Sequence, residues 1–129
     1  MKNRQYDLED RLLVYAAAII RLTGNLSDGK AAAHVGGQLL RSATSPLSNH
    51  AEAQAAELPQ DFVHKLKICL KELRESKRWL QLIRVVPLVT PPSAVDAALQ
   101  ETEELIRIFV ASIKTSEKRR LTSRVDGAG

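Results

Sequence analysis

The chain is poor in cysteine and in aromatic residues, and it holds no long apolar run. One cysteine, Cys69, occurs in 129 residues. That excludes an intrachain disulfide and any cysteine-based metal site, and a reducing cytoplasm is the default expectation. The three histidines, His34, His50 and His64, are scattered and match neither an HExxH helix nor a Cys/His ligand spacing. Gly36-Gly37 lacks the preceding strand and the following Gly-Lys-Ser/Thr of a phosphate loop. No metal, cofactor or catalytic constellation is expected, and the chain reads as non-enzymatic. Phe, Trp and Tyr make up only 4% of residues, so a core must be built from Leu, Ile, Val and Ala, which favours helix on helix over a sheet. No stretch reaches the ~20 apolar residues needed to span a bilayer. The opening Met-Lys-Asn-Arg-Gln-Tyr has no apolar segment of a signal peptide.

What is present is ordinary in amount and organised in pattern. Hydrophobic residues are 44% and charged residues 26%, with a formal net charge of +4. That balance suits one domain with one core and permits contact with polyanions without demanding it. Apolar residues recur at helical spacing in four segments, about 7–23, 31–55, 59–86 and 93–118. In the first, Leu8, Leu12, Tyr15, Ile19 and Leu22 form the stripe, widened by Leu13, Ala16 and Ile20, with Asp7 as the expected cap. Thr23-Gly24-Asn25, Glu57-Leu58-Pro59 and Pro87 to Ser93 separate the segments, and Thr90 or Ser93 is the expected cap of the fourth. Pro46 falls inside the second segment and predicts a kinked helix rather than two helices, because the polar register continues across it. Residues 119–129 read as a basic, fraying tail. The expected fold is an all-α, antiparallel up-and-down four-helix bundle.

On the second segment Gln38, Arg41, Ser45, Asn49 and Glu52 lie at offsets 0, 3, 7, 11 and 14, a continuous polar line along one helix face. The third segment carries a second line of Asp61, Lys65, Glu72 and Ser76, ending at Trp79. The favoured reading is a network joining the two helices or two subunits, with Arg41 or Lys65 facing Glu72 or Glu52. The competing one is a ligand groove or nucleic-acid contact along the same stripe, where two acidic members argue against phosphate. Such networks specify register more reliably than they stabilise. Cys69 sits on the apolar seam and reads as a buried small hydrophobe.

These residues carry a family resemblance. The run Gln38-Leu39-Leu40-Arg41-Ser42, then Thr44-Ser45-Pro46 with Asn49 and Glu52-Ala53, is one part of it. Asp61-Phe62, His64-Lys65, Leu70-Lys71-Glu72-Leu73, Glu75, Trp79-Leu80 and Phe109 to Lys114 follow in order. Together they resemble the bacterial four helix bundle proteins encoded in intervening sequences of large-subunit ribosomal RNA genes. The accessory variability determinant of diversity-generating retroelements is a more distant relative. The resemblance implies a four-helix bundle in a homo-oligomeric ring, most often a pentamer. For the retroelement branch it also implies binding to nucleic acid and to a reverse transcriptase.

For a polyanion the candidate contacts are Lys67, Lys71, Arg74, Lys77, Arg78 and Arg84 on the third segment. Lys114, Lys118, Arg119, Arg120 and Arg124 join them near the C-terminus. The competing reading is a solvated face that neutralises itself, since Glu72, Glu75 and Glu117 are interleaved and Lys71 and Glu75 stand at i, i+4. The expected role is an oligomeric scaffold that holds RNA or DNA through phosphate contacts, without base readout. The rival is a protein-interaction module whose basic residues only solubilise it.

Overall fold

The computed structural model describes residues 4–128, with the side chains of residues 8–122. Its elements are all helical: α1 (Arg4–Thr23), α2 (Lys30–Gln54), α3 (Pro59–Val85), a short 3-10 turn (Pro92–Val95) and α4 (Asp96–Ala128). They pack in sequence order as an up-and-down bundle, α2 on α3 and α3 on α4, with α1 held mainly by α2.

The breaks fall where backbone chemistry demands them. Gly29, at φ 122, precedes α2 in a conformation that an L side chain rarely adopts. Pro59 stands at the first turn of α3, where its missing N–H costs nothing. α2 runs unbroken through Pro46. Around that proline, Thr44 Oγ1 donates to the Leu40 carbonyl at 2.7 Å and Asn49 Nδ2 to the Ser45 carbonyl at 3.1 Å. Cys69 donates its S–H to the Pro46 carbonyl at 3.7 Å. Two expected caps are corrected. Asp7 lies inside α1, which starts at Arg4, because nothing between them breaks a helix. Neither Thr90 nor Ser93 caps α4, because Pro92 opens a 3-10 turn first and α4 begins at Asp96. The expected end at residue 118 is also overrun. Lys118, Arg119, Arg120 and Leu121 are good helix formers, and no glycine intervenes before Gly127.

The core is the expected aliphatic one, with Leu12, Ile19, Leu39, Leu66, Leu73, Leu80, Ile83, Leu105 and Phe109 almost fully buried. On α1, Ala16 joins it, whereas Leu13, Val14 and Ile20 stay exposed at 56%, 66% and 54%. Leu13 and Ile20 are each one residue, about 100°, round the helix from the buried Leu12 and Ile19, and α1 lies at the edge of the bundle. Leu88 and Val89, in the α3–α4 connection, are buried although no periodicity marks them. The Leu88 carbonyl accepts Ser27 N–H at 2.8 Å, which ties both connections of that end together. The opposite end has a single connection, between α2 and α3.

Candidate nucleic-acid interface

The polar lines of α2 and α3 meet within one chain. Arg41 bridges two carboxylates, Glu72 at 2.9 Å and Glu75, and the Trp79 indole N–H donates to Glu75 at 3.0 Å. The two carboxylates raise the pKa of Arg41, Glu75 most strongly. The indole first and the guanidinium second hold Glu75 below the usual carboxylate range. Lys65 reaches Glu52 at 2.5 Å, Asn49 bonds Ser45 on its own helix, and Gln38 lies half-buried on the same face. The His34 ring stands edge-on to Trp79, centroids 6.2 Å apart. These pairs join α2 to α3, the structural alternative of the expected network. Arg41 remains half exposed, so each pair contributes at most about 1 kcal/mol.

Inside the bundle lies a polar layer that periodicity did not reveal. Each helix supplies one buried hydroxyl: Tyr15, Ser42, Ser76 and Thr102. Tyr15 Oη meets Thr102 Oγ1 at 2.7 Å, and Ser42 Oγ meets Ser76 Oγ at 2.8 Å. Ser76 and Thr102 also donate to the carbonyls of Glu72 and Ala98. Burial pushes the Tyr15 phenol up to about 12, opposed by Thr102 and Ser76 as hydrogen-bond partners. The phenol therefore stays protonated and the layer neutral. The sequence reading of Ser76 as part of the polar line with Asp61, Lys65 and Glu72 is corrected: it lies on the buried seam of α3 between Leu73 and Leu80, fully buried against Ser42.

On the outer surface the same carboxylate geometry has a consequence. Glu72 and Glu75 turn across to Arg41 on α2, and Glu117 pairs with Lys67 at 2.7 Å. The interleaved acids are thus occupied, and Lys71 and Glu75 do not close the i, i+4 bridge of the competing reading, although the Lys71 charge still helps to hold Glu75 ionised, behind Trp79 and Arg41. Lys77 faces Glu103 at 3.5 Å and Arg84 faces Asp96 at 2.6 Å. Among the described residues, Lys71, Arg74 and Arg78 make no ion pair. Arg78 bonds only the Gln81 amide oxygen. With Lys67 they form one exposed line down α3, about 16 Å long at 1.5 Å per residue. The C-terminal basic residues do not join this line as a group. Lys114 and Lys118 are exposed and Arg120 is half-buried. Arg119 lines a groove elsewhere, and the Arg124 side chain lies outside the described residues. Among the described residues no cluster of His, Cys, Asp and Glu could hold a metal, and no helix is long and apolar enough to cross a membrane.

Comparison with known proteins agrees with this architecture. The family model of the 23S rRNA-intervening sequence protein matches residues 5–111. A crystal structure of a Bacteroides thetaiotaomicron protein of unknown function, from the S23 ribosomal protein family, superposes with a TM-score of 0.76. It is 30% identical, over 83% of this chain and 98% of the other. No curated protein matches the chain.

Proposed function

For this chain, which belongs to the 23S rRNA-intervening sequence protein family, we propose a non-enzymatic, self-associating scaffold that binds RNA or DNA through phosphates. The observation that carries the reading is the unpaired line Lys71, Arg74 and Arg78 on the outer face of α3. Its neighbouring acids are all committed to other cations. A cation already matched to a carboxylate gains little from a phosphate, whereas an exposed unpaired one releases condensed counterions from the nucleic acid. Among the described residues no aromatic platform accompanies the line, since Trp79 is turned to Glu75 and His34. The contacts therefore read charge and spacing rather than bases.

Self-association is assigned to the outer face of α1, where Leu13 and Ile20, two turns apart on one face, stand exposed with Val14 next to Leu13. Burying that ridge against a second copy removes the largest cluster of solvated aliphatic surface on the helix. A ring would repeat the α3 line on every subunit and convert weak phosphate contacts into avidity.

The test is fluorescence anisotropy of a labelled DNA duplex and a labelled structured RNA, titrated with nucleic-acid-free protein across a salt series. Three unpaired cations per subunit give a slope of log K on log salt of about −2.7 on duplex DNA, or about 40-fold between 50 and 200 mM. Arg74→Gln with Arg78→Gln should flatten the slope by about 1.8. Lys77→Gln with Arg84→Gln, removing cations already paired, should change it much less. Equal effects of the two pairs, or no binding at low salt, would overturn the reading and leave a protein-interaction module.

A further inference from the structure

Lys114 and Lys118, which do not join the α3 line, belong to a second one. On α4 they share a helix face with Arg107, and all three are exposed. None of the three makes an ion pair among the described residues. The acids of α4 turn away on either side. Glu101 and Glu104 go to Arg11 on α1, and Glu103 and Glu117 go to Lys77 and Lys67 on α3. Between Arg107 and Lys114 this face carries only the exposed Ala111. From Arg107 to Lys118 the line runs about 16 Å at 1.5 Å per residue, the same length as the α3 line.

The two lines lie side by side over one stretch of the bundle. α4 packs on α3, and the pairs Lys67–Glu117 and Lys77–Glu103 show the two helices running antiparallel. Counted from those pairs, Lys114 is level with the turn from Lys67 to Lys71, and Arg107 is level with Arg74. Packed helix axes stand about 8–10 Å apart, and side chains that point away from the core set the charged ends somewhat further apart. The strip between the rows is already neutralised. Glu103, Val110 and Glu117 recur every second turn on the side of α4 that faces α3, and both carboxylates sit there with their lysines. One phosphate strand laid along this strip meets matched pairs rather than free cations. Two strands, one on each row, meet free cations throughout. A double helix presents two such strands on either side of a groove, about 12 Å across for the major groove of B-form DNA and differently proportioned in an RNA duplex.

We propose that the α3–α4 face binds double-stranded nucleic acid across a groove. One phosphate strand lies on Lys71, Arg74 and Arg78, and the other on Arg107, Lys114 and Lys118. The inference rests on the phosphate reading of the α3 line, and adds to it a second row and the strandedness of the ligand.

The test compares the salt dependence of binding for a labelled DNA duplex, a labelled RNA duplex and a labelled single strand that cannot pair with itself, each titrated with the full chain. Six free cations per engaged subunit give a slope of log K on log salt of about −5.4 on B-form duplex, or about 2,000-fold between 50 and 200 mM. The α3 line alone gives about −2.7, and a single strand on one row about −2.1. Arg107→Gln with Lys114→Gln should flatten the duplex slope by about 1.8 and leave the single-strand slope unchanged. Ala111→Glu places a carboxylate one turn from both Arg107 and Lys114 and should neutralise the same row without removing a side chain, so either variant suffices if the other does not fold. Arg21→Gln with Arg119→Gln, an equal loss of charge from other faces, should alter neither slope. The steeper slope on either duplex supports the face, and the tighter duplex shows which groove the rows match. Equal slopes for duplex and single strand, or a duplex slope near −2.7 that the α4 variants leave untouched, would overturn the second row and leave the α3 line standing. No binding of any of the three at low salt would overturn both.

Discussion

Tyr15→Phe should change the sign of its effect according to what surrounds it. In the intact protein the Tyr15 hydroxyl is 2% exposed and bonded to Thr102 at 2.7 Å. Its removal strands nothing, because Thr102 keeps its 2.6 Å bond to the Ala98 carbonyl. The expected loss is therefore that of one neutral hydrogen bond, about 1 kcal/mol, or a melting shift of about 3–6 °C for a chain of this length. In a Ser76→Ala, Thr102→Val background the phenol has lost both partners and is left buried with its donor unmatched, which costs about 1–3 kcal/mol. Removing the hydroxyl there should restore that amount, so Tyr15→Phe becomes stabilising. Val keeps the β-branched shape of Thr, and Ala is a better helix former than Ser, so neither background change disturbs the helices themselves. The assay is urea unfolding of all four proteins at one protein concentration, since self-association would otherwise shift apparent stability. The same sign of Tyr15→Phe in both backgrounds would refute the hydroxyl layer as a connected unit.

Other tests address single groups. Burial pushes the Cys69 thiol up to about 12 and leaves it 0% exposed, so a thiol reagent should label it only on unfolding. Rapid labelling in native buffer would contradict its place in the core. Burial lowers the His50 pKa, with Glu9 opposing. The unfolded chain takes up that proton near the ordinary value of about 6.5 while the folded one resists it. Stability should then be full above about 6.5 and fall as pH drops towards the folded pKa, and His50→Gln should flatten stability between pH 5 and 7. Leu13→Ser with Ile20→Ser should leave helix content intact and reduce the assembled mass by light scattering. An unchanged mass would remove α1 as the self-association surface.

Much of the α2–α3 interface was legible because its partners lie on the faces that helical spacing assigns. Arg41, Glu72, Lys65 and Glu52 pair as that spacing suggests. What spacing could not decide was which of two eligible partners an acid takes. Glu75 stands one turn from Lys71 on its own helix, yet it turns to Arg41 and Trp79 across the interface. That choice leaves Lys71, Arg74 and Arg78 without an ion pair on the outer face of α3, with only the longer-range charge of Glu75 beside Lys71.

The sequence by itself determined the four helices and the aliphatic core. Their signals are local: apolar spacing, the Gly29 and Pro59 boundaries, and few aromatic residues. Tertiary structure alone decided the rest. The hydroxyls of Tyr15, Ser42, Ser76 and Thr102 meet only because four helices bring one level of the bundle together. Leu13 and Ile20 are left in solvent because α1 lies at an edge. Periodicity names the residues on a face, but helix packing decides what that face meets.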